Sequence, residues 1–343
     1  MKKIILLLVA VSVLLFGCLG GESPPEQNQT VNQTLNITTN ISNVSIIITP
    51  QKNQTVEQND SAPPPPQPPQ SNETNYTVAP EDNSAAYFIY VGDLTNRLNG
   101  DAILIKKGDL DILVDAGPAQ SSGKVIDFLK SRGVDDIDVL ISTNADPLRY
   151  GGLGAVSSAY NIEEFWWSGE DFKKADYQGL VQNISQKAKT VKVIKRGFTA
   201  TFNGITLKAL NPKVPIFRDV NNDAIVLRME DRNFSMLLLS DAQFGAQSEL
   251  LNNQKDLLFV DVMEAPYYGV GVGTSGIGNF LQTLRPKDMV ISGGPDESAA
   301  SGGSREPFKK LLDQYGIKYL ENYVGGTVRV VTDGTSYSVG YFQ

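Results

Sequence analysis

One stretch constrains the fold more than any other: Val139-Leu140-Ile141-Ser142-Thr143-Asn144-Ala145-Asp146-Pro147-Leu148-Arg149-Tyr150-Gly151-Gly152-Leu153. It reads as a buried strand, then a polar loop, then a double glycine that opens a helix. A short apolar run closed by polar residues and glycine is a parallel-strand signal. That places the chain in the α/β class. Polar side chains at the C-terminal end of such a strand stand where α/β folds put their chemistry.

The same kind of pattern continues on both sides. Strands are expected at 87–92, 101–105, 111–118, 136–142, 165–169 and 190–193, and again at 235–242, 261–269, 289–294, 325–331 and 337–339. Helices are expected at 124–132, 153–160, 172–189, 277–284 and 307–315. The first of these has Val125, Phe128 and Leu129 on one face and Gly133 as its C-cap. Asn203-Gly204 is a two-residue hairpin turn signal. Two sets of strands, each followed by helices, suit a four-layer αββα sandwich.

The order of these segments resembles the metallo-β-lactamase superfamily, and most closely the hydrolase domains of ComEC-type competence proteins. Their metal loop reads Thr-His-x-Asp-x-Asp-His-x-Gly-Gly. Thr143, Asp146, Gly151 and Gly152 match it. Asn144 stands where the first His should be, Leu148 for the second Asp, and Arg149 for the second His. Gly100-Asp101-Ala102 and Leu113-Val114-Asp115-Ala116-Gly117 follow the opening of those domains, with a longer link after Gly92. Asp115 takes the position that braces the metal loop. Asp241 falls on the metal-bridging Asp, with Ser240 for the preceding Gly. Tyr267 and Tyr268 replace a His-His pair, and Ser304-Arg305-Glu306-Pro307 stands for Asn-x-Tyr-x-His-Pro. The resemblance spans about residues 87–341. It implies a site at one edge of the sandwich, between the two sheets.

The chain contains no histidine. Zinc in a hydrolytic site wants neutral imidazoles with carboxylates and an open position for water. Asp146 and Asp241 remain, with Asp115 behind, and Arg149 would repel a metal and pair with Asp146 or Asp241. Losses at Asn144, Leu148, Arg149, Tyr267 and Tyr268 lie in separate motifs, which favours abandonment of the metal. The expectation is a pseudoenzyme with no catalytic residue and no zinc. Two alternatives stand beside it. A hard cation such as Mg²⁺ or Ca²⁺ on Asp146 and Asp241 would permit a phosphodiesterase or nuclease-like activity. Or the cleft, lined by Asn144, Arg149, Trp167, Tyr267 and Tyr268, takes a small anion, glycan or peptide, with Arg149 and the two Tyr hydroxyls as the binding set. The plainer outcomes are a filled cleft, core packing for Trp166 and Trp167, and a cap or ion-pair role for each Asp. The glycine-rich stretch 269–276 lacks the Lys of a phosphate loop.

The N-terminal end supplies an address. Met1-Lys2-Lys3 is a positive n-region and residues 4–16 are an apolar h-region too short for a comfortable span. Leu15-Phe16-Gly17-Cys18 resembles a prokaryotic lipobox, and Cys18 is the only cysteine. Residues 1–18 are therefore expected to be a lipoprotein signal, with lipid on Cys18. Residues 19–85 are rich in Asn, Thr, Ser, Gln and Pro and lack periodicity, as a disordered stalk does. Sequons start at Asn28, Asn32, Asn36, Asn40, Asn43, Asn53, Asn59, Asn72 and Asn75, which suggests a glycosylated, archaeal surface stalk. Val44 to Ile48 is an apolar patch within it. The folded domain is expected over 86–343, lipid-anchored on the outer face of the cytoplasmic membrane. Its expected partners are that membrane and a surface protein, glycan or small anion. Residues 85–343 hold 27 Lys and Arg against 31 Asp and Glu, which argues against nucleic acid.

Overall fold

Strand residues alternate between two faces, and here both faces are buried. In the strands ending at Ile141 and Trp167, Val139, Ile141 and Trp166 point to one apolar cluster while Leu140 and Phe165 point to another. That double burial builds a layered molecule. The structure, a computed structural model, describes residues 83–92, 99–270, 277–294 and 304–342. These lie in one of two units of the chain, Pro66–Gln343. The signal with Cys18, the sequons from Asn28 to Asn75, the Val44–Ile48 patch and residues 271–276 of the glycine-rich stretch lie outside the described residues.

The strands are β1 (Ser84–Phe88), β2 (Ile103–Lys107), β3 (Leu110–Val114), β4 (Ile137–Ile141), β5 (Ile162–Trp167), β6 (Thr190–Val193), β7 (Thr199–Phe202), β8 (Ile205–Asn211), β9 (Val226–Asp231), β10 (Phe234–Leu238), β11 (Val262–Glu264), β12 (Asp288–Ile291), β13 (Lys318–Glu321), β14 (Val328–Thr332) and β15 (Tyr337–Tyr341). They form two sheets, ordered β15-β14-β1-β2-β3-β4-β5-β6 and β13-β12-β11-β10-β9-β8-β7. Within each sheet one half is parallel, β3 to β6 and β10 to β13. The helices are α1 (Ser122–Ser131), α2 (Pro147–Tyr150), α3 (Leu153–Ala159), α4 (Ala175–Lys187), α5 (Phe244–Asn253), α6 (Ile277–Leu284), α7 (Glu306–Tyr315) and α8 (Asn322–Gly325). None of these helices is long and apolar enough to cross a membrane.

Three apolar clusters show the layers. Ile105, Ile112, Val139 and Trp166 of the first sheet meet Leu207, Leu227, Met236 and Val262 of the second. Leu129 of α1, Val156 of α3 and Tyr177 of α4 cover the outer face of the first sheet. Leu250 of α5, Phe280 of α6 and Phe308 of α7 cover the second. The order helix, sheet, sheet, helix is the expected αββα sandwich. Local signals behave as their chemistry requires. Asn203 and Gly204 have φ 46° and 80° in the β7–β8 hairpin, as a type I′ turn demands. Gly133, at φ 73°, closes α1 in a Schellman motif, with its N–H on Lys130 and that of Val134 on Leu129.

Several boundaries differ from the sequence expectation. The first strand begins at Ser84, inside the segment 19–85 assigned to the stalk. Ser84 is buried, pairs with Thr332 and donates its hydroxyl to Asp231 at 2.9 Å. Ser84-Ala85-Ala86 has no intrinsic strand signal, and a tertiary neighbour supplies the pairing. Helix α4 starts at Ala175 rather than 172 because Phe172 and Lys173 are left-handed, at φ 51° and 57°. The short helices α2 and α8 have no periodic signature at four residues each.

Candidate functional site

The loops at the C-terminal ends of β3, β4, β10 and β11 converge with α2. Asp146 caps α2, its carboxylate accepting the Leu148 N–H at 2.8 Å, and Pro147 occupies the first turn. Backbone bonds strap this turn to its neighbours. Ala116 N–H reaches Arg149 O at 3.0 Å, and Gly152 N–H reaches Gly117 O at 2.8 Å. A Cβ on Gly152 would collide with the Ala116 carbonyl, so the approach requires glycine. The strap fixes Arg149 over the gap between the sheets.

Arg149 is among the largest fully buried side chains of the described residues, 1% exposed. Its Nε donates to Asp241 at 2.8 Å. Its Nη1 lies 3.2 Å from Asp101, and 3.4 Å from both Asp115 and Glu264. The Tyr268 ring stacks over the guanidinium, 4.9 Å from centroid to Cζ. A second layer holds these carboxylates. Asn144 Nδ2 donates to Asp241 at 2.6 Å, and Asn144 Oδ1 accepts the Asp146 N–H. Asp115 accepts the Thr143 N–H at 2.8 Å and its hydroxyl at 2.5 Å. The Thr143 hydroxyl also meets the Ser240 hydroxyl at 2.7 Å, and Ser240 N–H donates to Glu264 at 2.9 Å. Backbone strain gathers here: Asp115, Ser240, Tyr267 and Tyr268 have φ of 57°, 51°, 48° and 58°.

Four buried carboxylates around one cation cannot all ionise cheaply. Burial, opposed by Arg149, pushes Asp115 up to about 7. Burial first, then the neighbouring Asp101, holds Glu264 well above the usual carboxylate range. A protonated Glu264 can donate to Asp101, whose Oδ1 has no N–H partner. Asp241 is raised by burial against the pull of Arg149. Burial opposes the charge on Arg149, but Asp241, Tyr268, Asp101 and Glu264 together keep its pKa well above the ordinary value.

The structure thus brings Asp115, Asn144, Arg149, Asp241 and Tyr268 into one group. Asp146 is a helix cap, and Leu148 contributes its carbonyl to the Asp101 N–H. Tyr267 lies half-buried beside Tyr268, with its N–H on Ser240 O. Trp167 packs on the helix-covered face of the first sheet, and Trp166 fills the space between the sheets. Sequence reasoning missed Asp101 and Glu264 as members. Glu264 is a carboxylate at the end of an apolar strand, and Asp101 sits in the Gly100-Asp101-Ala102 segment just before one; those placements were the available signal. The donor set does not fit zinc. It has no imidazole, its carboxylates are engaged, and among the described residues no group of three or more His, Cys, Asp or Glu is arranged to hold a metal. The anion set of Arg149 with two Tyr hydroxyls is not built either. Arg149 faces four carboxylates, and Tyr268 offers it a ring face rather than its hydroxyl.

No family model matches the chain. It is 24% identical to ComE operon protein 3 of Bacillus subtilis over 208 residues, 60% of this chain and 26% of that protein. The chain therefore spans about a quarter of the curated relative it matches. Among solved structures it is similar to the metallo-beta-lactamase fold protein YhfI from Bacillus subtilis, at TM-score 0.50 and 13% identity, over 72% of this chain and 99% of that one. Igni18, a metallo hydrolase from Ignicoccus hospitalis, aligns at TM-score 0.47 and 12% identity, over 76% of this chain and all of its own. The layered sheets and the likeness to YhfI agree: this chain has the metallo-β-lactamase fold.

Proposed function

We propose that the chain is a surface lipoprotein, anchored through Cys18 and raised on a glycosylated stalk, whose domain holds no metal and acts in binding or assembly instead of hydrolysis. The observation that carries this reading is Arg149, whose guanidinium is buried against Asp101, Asp115, Asp241 and Glu264. A divalent cation there would meet a fixed positive charge a few ångströms away, in surroundings of low dielectric. The carboxylates it needs already bond Arg149, Asn144, Thr143 and Ser240. The hard-cation alternative loses its main support for the same reason: Asp146 caps α2 and Asp241 bonds Arg149 and Asn144.

The test is the metal content of the full-length protein, purified without a polyhistidine tag and measured by plasma mass spectrometry, beside a generic phosphodiester hydrolysis assay. The expected result is no stoichiometric divalent metal and no turnover. One equivalent of metal with chelator-sensitive turnover would overturn the reading and restore a hydrolase.

A further inference from the structure

We infer that the end of the sandwich opposite Arg149 is a membrane-facing surface, on which Phe259 and the cations Lys255, Arg285, Lys287 and Lys318 settle on anionic lipid headgroups. The inference rests on the reading of a lipid anchor at Cys18 and extends it to the folded domain. The direction of the chain carries the first step. β1 is antiparallel to β2, and β2 to β3, whose C-terminal end leads to Asp115 and the site. β1 therefore begins at the end away from the site, where Ser84 donates to Asp231, the last residue of β9, at 2.9 Å. All of the chain before residue 83 is joined to the domain at this end. A tether from a bilayer pulls on this end and leaves the Arg149 end facing away.

Strands β10 to β13 are parallel, so their first residues line up along the same end. Backbone bonds join them: Asp261 N–H to Ser235 O at 3.0 Å, Lys287 N–H to Asp261 O at 3.1 Å, and Lys318 N–H to Lys287 O at 3.3 Å. Phe259 stands beside this row, 47% exposed. Arg228 fixes its loop, with Nη1 donating to the Leu257 and Phe259 carbonyls, both at 2.8 Å. A single exposed phenylalanine means little by itself. Here Lys255, Arg285, Lys287 and Lys318 are exposed on the same corner. Of the acids there, Asp256 and Asp313 are exposed, while Asp261 and Asp288 are recessed and bond Lys287 and the Tyr337 hydroxyl. Under the first sheet the charge is reversed. Burial, and then Asp138, Asp135, Glu163 and Asp109, raise Asp136 at this same end. An anionic surface attracts one half of the end and repels the other, so the domain settles on the corner under the second sheet. An aromatic ring enters the headgroup boundary, and each cation beside it strengthens binding to anionic lipid about fivefold. A tether to the same bilayer makes docking intramolecular, so a small patch suffices.

The experiment uses the full-length protein reconstituted in vesicles of phosphatidylcholine with phosphatidylglycerol, or of phosphatidylcholine alone, both with brominated acyl chains that quench tryptophan. Phe259→Trp places a reporter on the corner. Val193→Trp places one at the site end, where Val193 closes β6 and is 55% exposed. The unsubstituted protein gives the background of Trp166 and Trp167. F259W should be quenched in the anionic vesicles and not in the neutral ones, and high salt should reverse the quenching. V193W should stay unquenched in both. Lys255→Glu, Arg285→Glu and Lys318→Glu together, in F259W, should weaken docking about a hundredfold or more and abolish the quenching. The salt response needs no change to the cations, so a triple variant that fails to fold leaves the test standing. F259W that stays unquenched on vesicles carrying the protein overturns the inference and leaves the lipid anchor intact. V193W quenched as strongly as F259W also overturns it, since the domain would then lie on lipid without this orientation. A cross-linked dimer through this corner, in place of quenching, overturns it in favour of a second copy. Protein that stays with no vesicle removes the lipid anchor and the inference together.

Discussion

Asp115 shows how burial reverses the usual pH behaviour of a carboxylate. A surface Asp that pairs with Arg stabilises a protein as pH rises. Asp115 pairs with Arg149 too, but burial outweighs the pairing and raises it to about 7. Asp241 and Glu264 are raised beside it, also by burial first. The native state therefore holds protons that the unfolded chain releases near pH 4. With more protons bound in the native state, unfolding free energy falls as pH rises from about 4 through about 7. Every tenfold gain in a carboxylate's proton affinity on folding is worth on the order of 1.4 kcal/mol. Urea midpoints measured from pH 5 to 8 should decline, and Asp115→Asn should flatten the decline. A midpoint that climbs over this range would contradict the arrangement of Asp101, Asp115, Asp241, Glu264 and Tyr268 around Arg149. That Asn144, Arg149, Tyr267 and Tyr268, and no imidazole, stand at these positions was legible in the sequence, because each falls inside a segment that resembles a known motif. The pairing of Arg149 with Asp101 and Glu264 was not, because nothing local marks which distant carboxylate a side chain will meet.

Elements differ in how much tertiary contact they require, and two glycines separate the cases. Gly133 is left-handed at φ 73°, but a Cβ there meets nothing within 4 Å. Gly133→Ala should cost only about 1 kcal/mol, the strain of the backbone. Gly152 has ordinary φ, but its Cβ would collide with the Ala116 carbonyl. Gly152→Ala should cost about 3 kcal/mol or more, because backbone must move and α2 is displaced with Arg149. Denaturant midpoints of the two variants should rank in that order, and the reverse order would mean that α2 is not held against the β3 loop as described. Both glycines were visible as punctuation in the sequence. The Schellman cap of α1 and the Asn203-Gly204 turn followed from local chemistry alone. The four-residue α2 did not, since its helical form depends on the Asp146 cap and on backbone bonds to Ala116 and Gly117.

The whole molecule joins a sandwich to an N-terminal segment whose address is proposed from Cys18. Cys18→Ser should move the protein from the membrane fraction to the soluble fraction, read by fractionation and immunoblot. Unchanged membrane association would remove the lipoprotein reading without touching the fold. At this scale the sequence determined a good deal. Apolar runs of strand and helix length, and the motifs at their ends, specified two sheets between helix layers, because periodicity is a local property that burial enforces at each element. Composition alone removed imidazole from the site. The tertiary structure decided what took its place. Packing within the first sheet brought Arg149 to Asp101, and stacking the sheets brought it to Asp241 and Glu264, 92 and 115 residues away in sequence, where the exclusion of water raises both carboxylates. Those outcomes depend on distance and dielectric, and neither exists until the two sheets close on each other.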